Sequence, residues 1–378
     1  MRQLRILAPT RYPWRFNGPR RSRHTIVNKA FLPLNKIHGR MEGITLFPTA
    51  IPGGYDLTHA FNRIPIGATP YLIGFESHLP RAYHLERTPY YRTLRHSLAS
   101  GRCRGIIAIS RHAESIFRDT HAGSDVEAEL NAKLELRYPN LALPDAPDGF
   151  DGDLSTLRLV FVGGHFARKG GCVAVRLAEL ASARGVPIEV TIVSALEMGG
   201  GIWTDPADDS YYESWRARLD HPSIRFHPAL PNSDVLALFR KAHFSLLATF
   251  GDTFGYSALE AMMVHCPVIA TRQGALPEFI EDGVNGILMD LPLNRHGEWV
   301  HSSSPHRATK SFEAMFTDEV ERLAQTALER IVALLGNSPA YAAMRKAARR
   351  TVEERFNAED ANRYWDERYL TAIAAGRG

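Results

Sequence analysis

The sequence predicts an α/β protein built from two Rossmann-like, doubly wound domains. One observation is the length of 378 residues, which is too long for one ordinary core. Another is that short apolar runs alternate with helical patterns in both halves, as in parallel βα units. The third is a stretch rich in Pro, Gly and Asp between about residues 136 and 156, which indicates a linker. We expect an N-terminal domain over residues 1–150, a second domain over 151–350, and a C-terminal helix over 351–378 that packs back on the first domain.

Each predicted element follows from a short stretch of text. In the first half, LRILAP, GITLFP, YLIGF and GIIAI predict strands, and SRHTIVNKAFLPL predicts a helix. The second half repeats this rhythm from LRLVFVGG to NGILM, with helices predicted at CVAVRLAELASARG, SDVLALFRKA and SALEAMMVHC. Residues 291–313 indicate an exposed insertion, and a helical pattern runs from about 317 to 374. Two such domains facing each other leave a cleft at the C-terminal ends of both sheets, where α/β proteins bind ligands.

The composition is that of a soluble globular protein, with 44% hydrophobic and 23% charged residues. Cys103, Cys172 and Cys266 are odd in number and lack a CxxC pattern, which argues against a disulfide or zinc framework and fits a reducing compartment. No stretch has the length of a bilayer span, and the first residues lack a signal-peptide pattern. The expected location is the cytoplasm, with the cytoplasmic membrane face as a peripheral alternative.

Charge is distributed unevenly along the chain. Residues 1–120 contain 19 Lys and Arg against six Asp and Glu, a net of +13, whereas the whole chain has +4, which leaves −9 for the rest. The first half therefore meets an anionic membrane or an anionic acceptor, or it simply has an uneven surface. Nucleic acid is not expected, because no nucleic-acid-binding signature accompanies these arginines. They crowd the first predicted strand and the loop after it: Arg2, Arg5, Arg11, Arg15, Arg20, Arg21 and Arg23.

The stretch LVFVGGHFARKGG, residues 159–171, indicates an anion-binding loop between a strand and a helix. Its glycines, including Gly163 and Gly164, let the backbone approach a diphosphate, and Lys169 beside Arg168 supplies positive charge. The stretch is neither a Walker A sequence nor GxGxxG, because no Ser or Thr follows the lysine and the glycine spacing differs. A solvated basic turn is the alternative interpretation.

The stretch FGDTFGYSALEA, residues 250–261, indicates a second part of the same site. Gly255 allows a tight turn, after which the N–H groups of Tyr256 and Ser257 open a helix with free donors. Glu260 lies where an acid can accept hydrogen bonds from ribose hydroxyls. Alone, Glu260 could serve the helix dipole and Asp252 a turn. Together with the basic glycine loop, they predict a bound nucleoside diphosphate.

The text DTFGYSALEAMMVHCPVIATRQGALPEFIEDGVNGIL resembles the signature of glycosyltransferase family 4, the retaining nucleotide-sugar enzymes of GT-B fold. The shared pattern has two acids separated by seven residues, an EAM helix, a PV strand, a small-residue loop ending in PE and a DGxNG turn. FVGGHFARKGG similarly resembles the family's donor-phosphate loop. The close resemblance covers roughly residues 157–290 and extends loosely to the C-terminus.

The resemblance implies a role for each matching residue. Glu260 would hold the donor ribose, Asp252 would contact hydroxyls of the transferred sugar, and Lys169 with Arg168 would neutralise the diphosphate of a UDP- or GDP-type donor. It implies no metal or other cofactor, since cationic side chains and helix N-termini do the electrostatic work. The acceptor would be a hydroxyl of a glycan, a glycolipid or a small molecule. Asp252 stands where the family often has Glu, and Gly164 where many members have Arg, which leaves the donor open.

The first domain matches the family less well. In the place of its glycine-rich loop stands APTRYPWRFNGPRRSRH, where only Gly18 offers close backbone approach on the acceptor side. The family's histidine near the reacting sugar would fall in PYLIGFESHLPR, which offers Glu76 and His78. An ordinary loop histidine is the alternative for His78.

Two other functions stay open at this level. One is a different GT-B nucleotide-sugar enzyme, such as an epimerase; a phosphorylase is disfavoured because the chain is short. The other is a catalytically silent protein that binds sugar nucleotides or a membrane. The intact Asp252, Glu260 and Lys169 favour an enzyme over a silent protein.

Overall fold

The chain forms two compact units, seen in a computed structural model that describes residues 2–10, 12–32, 34–47, 54–145 and 147–374. The first unit comprises residues 1–143 and 355–378, and the second comprises residues 144–354. The sequence predicts limits at 150/151 and 350/351. The segment from residue 144 joins the second unit because Asp148 accepts hydrogen bonds from Arg345, a side chain that is 1% exposed.

The first unit is organised around a parallel sheet. Its strands are β1 Arg5–Pro9, β2 Thr25–Lys29, β3 Ile44–Thr45, β4 Leu57–Phe61, β5 Ile64–Pro65, β6 Tyr71–Phe75, β7 Cys103–Ala108 and β8 Leu134–Leu136. Six of them form the sheet in the order β2-β1-β4-β6-β7-β8, and β3 pairs with β5 separately. All of these pairings are parallel. This confirms the predicted α/β rhythm of the first half.

The predicted helix at SRHTIVNKAFLPL is wrong, because Thr25–Lys29 of that stretch form strand β2. Thr25, Ile26 and Val27 are all β-branched, and such side chains favour a pleated strand over a helix. The strand pairs with β1 in register, Arg5 opposite Thr25. The apolar residues of this stretch therefore extend the sheet and do not anchor a helix.

Two helices of the first half of the chain begin with side-chain N-caps. The helices of this half are α1 Tyr12–Asn17, α2 Leu34–Ile37, α3 Pro89–Ala99, α4 Arg111–His121 and α5 Glu127–Lys133, with a 3-10 helix at Gly39–Met41. Thr88 accepts a hydrogen bond from the Tyr91 N–H at the start of α3, and Ser110 accepts one from the Ala113 N–H at the start of α4. Such caps satisfy backbone donors that the first turn of a helix leaves without partners.

The second unit repeats the parallel α/β design. Its strands are β9 Leu157–Val162, β10 Ile188–Val193, β11 Ile224–His227, β12 Phe244–Leu247, β13 Val268–Thr271 and β14 Gly286–Met289. They form one sheet in the order β11-β10-β9-β12-β13-β14, and all pairs are parallel. From β9 the chain moves outward to β10 and β11 and then returns to the other side of β9 at β12. The order of the strands thus reverses between β9 and β12.

Helices pack on both faces of the second sheet. They are α6 Gly171–Ala183, α7 Glu213–Ala217, α8 Asn232–Lys241, α9 Tyr256–Met262, α10 Lys310–Leu335 and α11 Ser338–Arg355, with 3-10 helices at Asp209–Tyr212, Arg218–Asp220 and Leu276–Glu278. α6 is buried on most sides because it packs against both the sheet and α10 in one apolar core. A strand such as β12, buried along its whole length, is apolar at nearly every position, as expected for a sheet covered on both faces.

The predicted exposed insertion at 291–313 is wrong in part. Trp299, in its middle, is 1% exposed and packs against Phe250 and Phe316, with ring centroids 4.9 and 6.1 Å away. Helix α10 also begins at Lys310, earlier than the predicted 317, with Thr309 as its N-cap. Burial of one indole ties this irregular segment to the core, because a large aromatic side chain contributes substantial apolar area.

The last helix, α12 Ala358–Ala374, packs on the sheet of the first unit. Its Trp365 and Tyr369 join an apolar cluster with Leu72 and Ile107 from the sheet. The next residues along those strands, including Ile73, face the opposite cluster, as the two-residue period of a strand requires. The predicted return of the C-terminal helix to the first domain is therefore confirmed.

Candidate functional site

The candidate site lies where the strand order of the second sheet reverses. β9 and β12 are neighbours, with Phe244 opposite Leu159 and Leu246 opposite Phe161. Because parallel strands end at the same edge of a sheet, the loops after β9 and β12 meet there. In open α/β sheets this reversal is the usual place for a ligand.

Glycines allow the two loops to touch. Gly170, the residue before α6, has φ +94°, and a Cβ on it would lie 2.4 Å from the Ala248 carbonyl oxygen in the other loop. A Cβ on Gly163 would lie 2.9 Å from the Lys169 Cβ. Gly164 is different, since the nearest atom to its added Cβ is a Glu197 carboxylate oxygen 3.9 Å away. Two glycines thus serve close packing, and the third leaves open space at the loop.

Lys169 and Asp252 form an ion pair that joins the two loops. The Lys169 ammonium donates to Asp252 Oδ2, and the two side chains are 19% and 8% exposed. Burial alone would raise the pKa of the Asp252 carboxyl, but the nearby charges of Lys169 and Arg168 outweigh it and hold the pKa below its ordinary value. Asp252 is therefore an anion at neutral pH, within a basic surrounding.

Arg168 locks the same two loops through both its backbone and its side chain. Its carbonyl oxygen accepts hydrogen bonds from Thr249 Oγ1 at 2.9 Å and from the Phe250 N–H at 2.8 Å. Its guanidinium donates to the Gly251 carbonyl oxygen at 2.5 Å and lies over the ring of Trp203, 4.7 Å from the centroid. The structure therefore brings together three predicted residues, Arg168, Lys169 and Asp252.

Gly255 begins the turn into α9, as predicted. It has φ +91°, and a Cβ there would lie 2.6 Å from the Leu276 side chain. Tyr256 and Ser257 are the first residues of the helix, and no side chain caps it. Because α9 has seven residues, its backbone dipole is short, and the side chains of the basic loop must supply most of any attraction for an anion.

Glu260 is a buried carboxylate in α9, 8% exposed. Its Oε1 accepts a hydrogen bond from Asn232 Nδ2 at 3.0 Å. Asn232 is the first residue of α8, so two helices position this acid. Sequence reasoning missed Asn232 because PNSDV carries no motif beyond an ordinary helix start.

The PE and DGxNG parts of the pattern shape the scaffold next to the site. Asp282 accepts hydrogen bonds from the Leu288 N–H at 2.8 Å and from Arg330 at 2.7 Å. Asn285 donates to the Phe279 carbonyl oxygen at 3.0 Å, and a Cβ on Gly286 would lie 2.6 Å from the Val268 carbonyl oxygen. Glu278 closes a 3-10 helix, Leu276–Glu278. The DGxNG turn is thus explained by packing and hydrogen bonding.

In the first unit, Glu76 and His78 lie just after β6. Glu76 Oε1 accepts hydrogen bonds from Asn62 at 2.9 Å and from Arg81 at 3.0 Å. His78 lies edge-on to Tyr83, with ring centroids 5.6 Å apart. Their assignment to the reacting sugar stays a prediction.

Gly18 is buried after the end of α1. A Cβ on it would lie 2.6 Å from the Trp14 ring, and its carbonyl oxygen accepts a hydrogen bond from Asn140 Nδ2 at 2.9 Å. Packing against Trp14 therefore gives one reason for a glycine here. Its place in an acceptor-side loop stays a prediction.

Several arginines of the first unit have partners within that unit. Arg2 pairs with Asp56, and Arg20 Nε donates to Asn140 Oδ1 at 3.2 Å. The backbone from Arg20 to Arg23 also bonds to α12, where the Arg23 N–H donates to Asp366 at 3.1 Å. Arg11 lies outside the described residues.

Trp203 and Asp205 are two further residues at the site that sequence reasoning missed. Both lie in the irregular segment between β10 and the 3-10 helix at Asp209–Tyr212. Burial raises the pKa of the Asp205 carboxyl to about 7, although Thr204 Oγ1 donates to it at 2.8 Å. The stretch EMGGGIWTDP does not indicate that either residue lies at the site, since its apolar residues have no regular spacing and it contains no known motif.

Within the described residues, no group of three or more His, Cys, Asp or Glu side chains is placed to hold a metal ion. No helix in that part of the chain is long and apolar enough to cross a membrane.

The fold and the site together define a doubly wound α/β protein with a basic glycine-lined site at the switch point of its second sheet. Residues 156–294 match the family model described as glycosyl transferases group 1. That segment contains β9 to β14 and every residue assigned above to the site in the second unit.

Comparison with whole proteins extends the resemblance. A D-inositol 3-phosphate glycosyltransferase from Pseudarthrobacter chlorophenolicus is 26% identical over 240 residues, which are 60% of this chain and 51% of that protein. A solved glycosyltransferase from Rickettsia africae has a TM-score of 0.61 at 14% identity, covering 99% of both chains. HepE from Anabaena, solved in complex with UDP-glucose, has a TM-score of 0.57 at 14% identity, covering 97% of this chain and 99% of HepE. These structures confirm the predicted GT-B fold class.

The chain spans about half or less of the length of the curated relatives it matches, from 15% to 51%. The chain therefore has the fold of these glycosyltransferases, and its second unit contains a segment that matches group 1.

Proposed function

We propose that the protein transfers a sugar from a UDP- or GDP-type nucleotide sugar to a hydroxyl acceptor, with retention of anomeric configuration. The observation that carries the proposal is the Lys169–Asp252 ion pair with Arg168 at the switch point of the second sheet. It lies inside the segment that matches glycosyl transferases group 1. HepE, solved with UDP-glucose, supports a nucleotide-sugar donor by fold alone.

We propose that the donor diphosphate binds by replacing Asp252 as the partner of Lys169. Lys169 is a compact cation, and it would exchange Asp252 for the more highly charged diphosphate, while Arg168 adds charge from the same loop. Asp252, a carboxylate at neutral pH, would then accept hydrogen bonds from the hydroxyls of the donor sugar. One loop thus holds the leaving group, and the other holds the sugar.

The chemical step would depend mainly on stabilising the departing diphosphate. The bond between the sugar C1 and the phosphate oxygen breaks, the acceptor hydroxyl bonds to C1 on the same face, and its proton passes to the departing phosphate. Positive charge that meets the leaving group more strongly in the transition state than in the bound donor speeds this step. Lys169 and Arg168 would supply that charge, and we therefore propose that no metal is required.

Glu260 would bind the ribose of the donor. Its buried carboxylate is oriented by Asn232, and a carboxylate can accept hydrogen bonds from a pair of vicinal hydroxyls. A ribose contact made by an acid is a recurrent solution in dinucleotide folds. This contact would contribute to the binding of the whole nucleotide and not only to catalysis.

The acceptor is proposed to be anionic or carried by a membrane, because residues 1–120 have a net charge of +13. Flotation with anionic vesicles tests the membrane version, with binding expected at low salt and lost as salt screens the charges. Arg15 and Arg21 are exposed and suit charge reversal better than Arg20 and Arg23, which bond to neighbouring elements. No flotation at low salt would leave a soluble anionic acceptor or an uneven surface.

The donor is tested by a thermal-shift panel of UDP, GDP, ADP, UDP-glucose and GDP-mannose. A ligand that binds only the native state raises its apparent stability by mass action. Lys310→Ala is the matched control for Lys169→Ala, since Lys310 also pairs with acids but is 76% exposed at the start of α10. Binding followed by sugar transfer supports the proposal. Epimerisation of the donor without an acceptor would favour an epimerase. Binding without turnover would favour a catalytically silent protein. If no nucleotide binds, the donor site is excluded.

A further inference from the structure

Trp203 differs from every other tryptophan of the chain in its exposure. The side chain is 45% exposed, whereas Trp14, Trp215, Trp299 and Trp365 are 5% exposed or less. An exposed indole offers a large apolar face with which a bound ligand can pack.

The backbone around Trp203 is held firmly in place. The Trp203 carbonyl oxygen accepts a hydrogen bond from the Ser303 N–H at 2.7 Å. The Arg307 guanidinium donates to the carbonyl oxygens of Asp205 at 2.8 Å and Gly200 at 3.2 Å, and also to that of Ile202. Four bonded carbonyls hold the backbone that carries the indole, as in a pre-organised binding surface.

The indole borders the proposed sugar end of the donor site. The Arg168 guanidinium lies over its ring at 4.7 Å from the centroid, and a Cβ on Gly251 would lie 3.4 Å from its Nε1. Gly251 directly precedes Asp252, the acid assigned to the sugar. Glu260, the acid assigned to the ribose, is bonded instead to Asn232 in α8.

We propose that Trp203 is a sugar platform, against which the donor sugar packs its C–H face while its hydroxyls bond to Asp252. This inference rests on the proposed function and adds the surface that distinguishes a nucleotide sugar from a free nucleoside diphosphate. A sugar ring has polar edges and a less polar face, so one carboxylate and one aromatic side chain satisfy both. Arg168 stacks on this ring from the loop that also carries Lys169.

Acrylamide quenching of tryptophan fluorescence tests the contact between Trp203 and the donor sugar directly. Because the other four tryptophans are buried, acrylamide reaches mainly Trp203. UDP-glucose or GDP-mannose should protect the fluorescence, and the matching UDP or GDP should protect much less. In Trp203→Phe, both the accessible signal and its protection should disappear.

Affinity supplies the second readout. Trp203→Ala should weaken binding of the nucleotide sugar about tenfold and leave the affinity for the nucleoside diphosphate unchanged. Trp215→Phe is the matched control, because Trp215 also stacks with an arginine, Arg218, at 4.0 Å but is buried. Its affinities for both ligands should equal those of the wild type.

The outcomes separate the two proposals. Binding of neither UDP nor GDP, with or without sugar, would overturn the donor site and the platform together. Binding of a nucleoside diphosphate that protects Trp203 as fully as its sugar does would overturn the platform alone. Equal loss of both affinities in Trp203→Ala would likewise show that the indole only supports Arg168.

Discussion

The two units each place a carboxylate and a cation near the end of a sheet strand, and the two pairs differ in how they are assembled. Lys169 and Arg81 are both 19% exposed, and Asp252 and Glu76 are 8% and 14% exposed. Burial therefore does not separate the pairs. In the first unit the partners are five positions apart in sequence, whereas 83 positions separate them in the second.

The two ion pairs also differ in the chemistry of their partners. The Arg81 guanidinium is planar and rigid, and its Nη1 also lies 4.0 Å from Glu42 Oε1. Glu76 accepts a second hydrogen bond, from Asn62. Lys169 is a point charge on a flexible stem, set between glycine-bearing loops. We infer that the local pair in the first unit holds a turn, whereas the long-range pair in the second unit exchanges one partner for a ligand.

Gly170→Ala should break the loop contact on which the second-unit site depends. The added Cβ meets a backbone oxygen 2.4 Å away, and φ of +94° is itself unfavourable, so unfolding free energy should fall by about 4 kcal/mol. Gly185→Ala is the control at the other end of α6, with φ +68° and nothing within 4 Å. It should lose only about 1 kcal/mol in urea unfolding. Equal losses would mean that the loops have room to separate.

Asp205 should make the stability of the protein depend on pH. Burial raises its pKa from 3.8 to about 7, so the native state binds this proton more tightly than the unfolded chain. The resulting stability is complete below about pH 4 and is lost as the pH rises through 7, a change on the order of 4 kcal/mol. Asp205→Asn should flatten that decline in denaturation curves. The same slope in the mutant would assign the decline to another group.

Glu260→Ala and Asp252→Ala should separate binding from transfer. Glu260→Ala should weaken nucleoside diphosphate binding by about 1 to 2 kcal/mol, because it removes a charge-assisted contact to ribose. Asp252→Ala should mainly lower kcat for transfer, since it touches the sugar that moves. Glu76→Ala in the first unit should leave nucleotide affinity unchanged. Exchanged phenotypes for Glu260 and Asp252 would show that the two acids are assigned in reverse.

Sequence patterns predicted the second unit better than the first because its strands are continuous apolar runs and its turns need glycine. Gly170 and Gly255 have positive φ, and their neighbours leave no space for a side chain. In the first unit, SRHTIVNKAFLPL was ambiguous, since an apolar run of this length fits a helix or a strand, and pairing of Thr25 with Arg5 decided for the strand.

The parts of the site that sequence reasoning missed depend on contacts far apart in the chain. Asn232 reaches Glu260 across 28 positions, and Arg168 meets Trp203 from a different loop. Burial of Trp299 likewise depends on Phe250 and Phe316, which no local pattern near residue 299 announces. Motifs show which residues carry charge and where glycine is required, and tertiary packing decides which of them meet.

Calorimetric titration of UDP and GDP into wild type, Lys169→Ala and Arg81→Ala tests the central claim most directly. The account predicts that Lys169→Ala loses about 1 to 3 kcal/mol of binding free energy for the nucleotide that the wild type prefers. Arg81→Ala should keep the wild-type affinity, although it should unfold more easily because Glu76 loses its ion pair. Unchanged affinity in Lys169→Ala, or an equal loss in both variants, would contradict the claim that the ion pair of the second unit is the donor site.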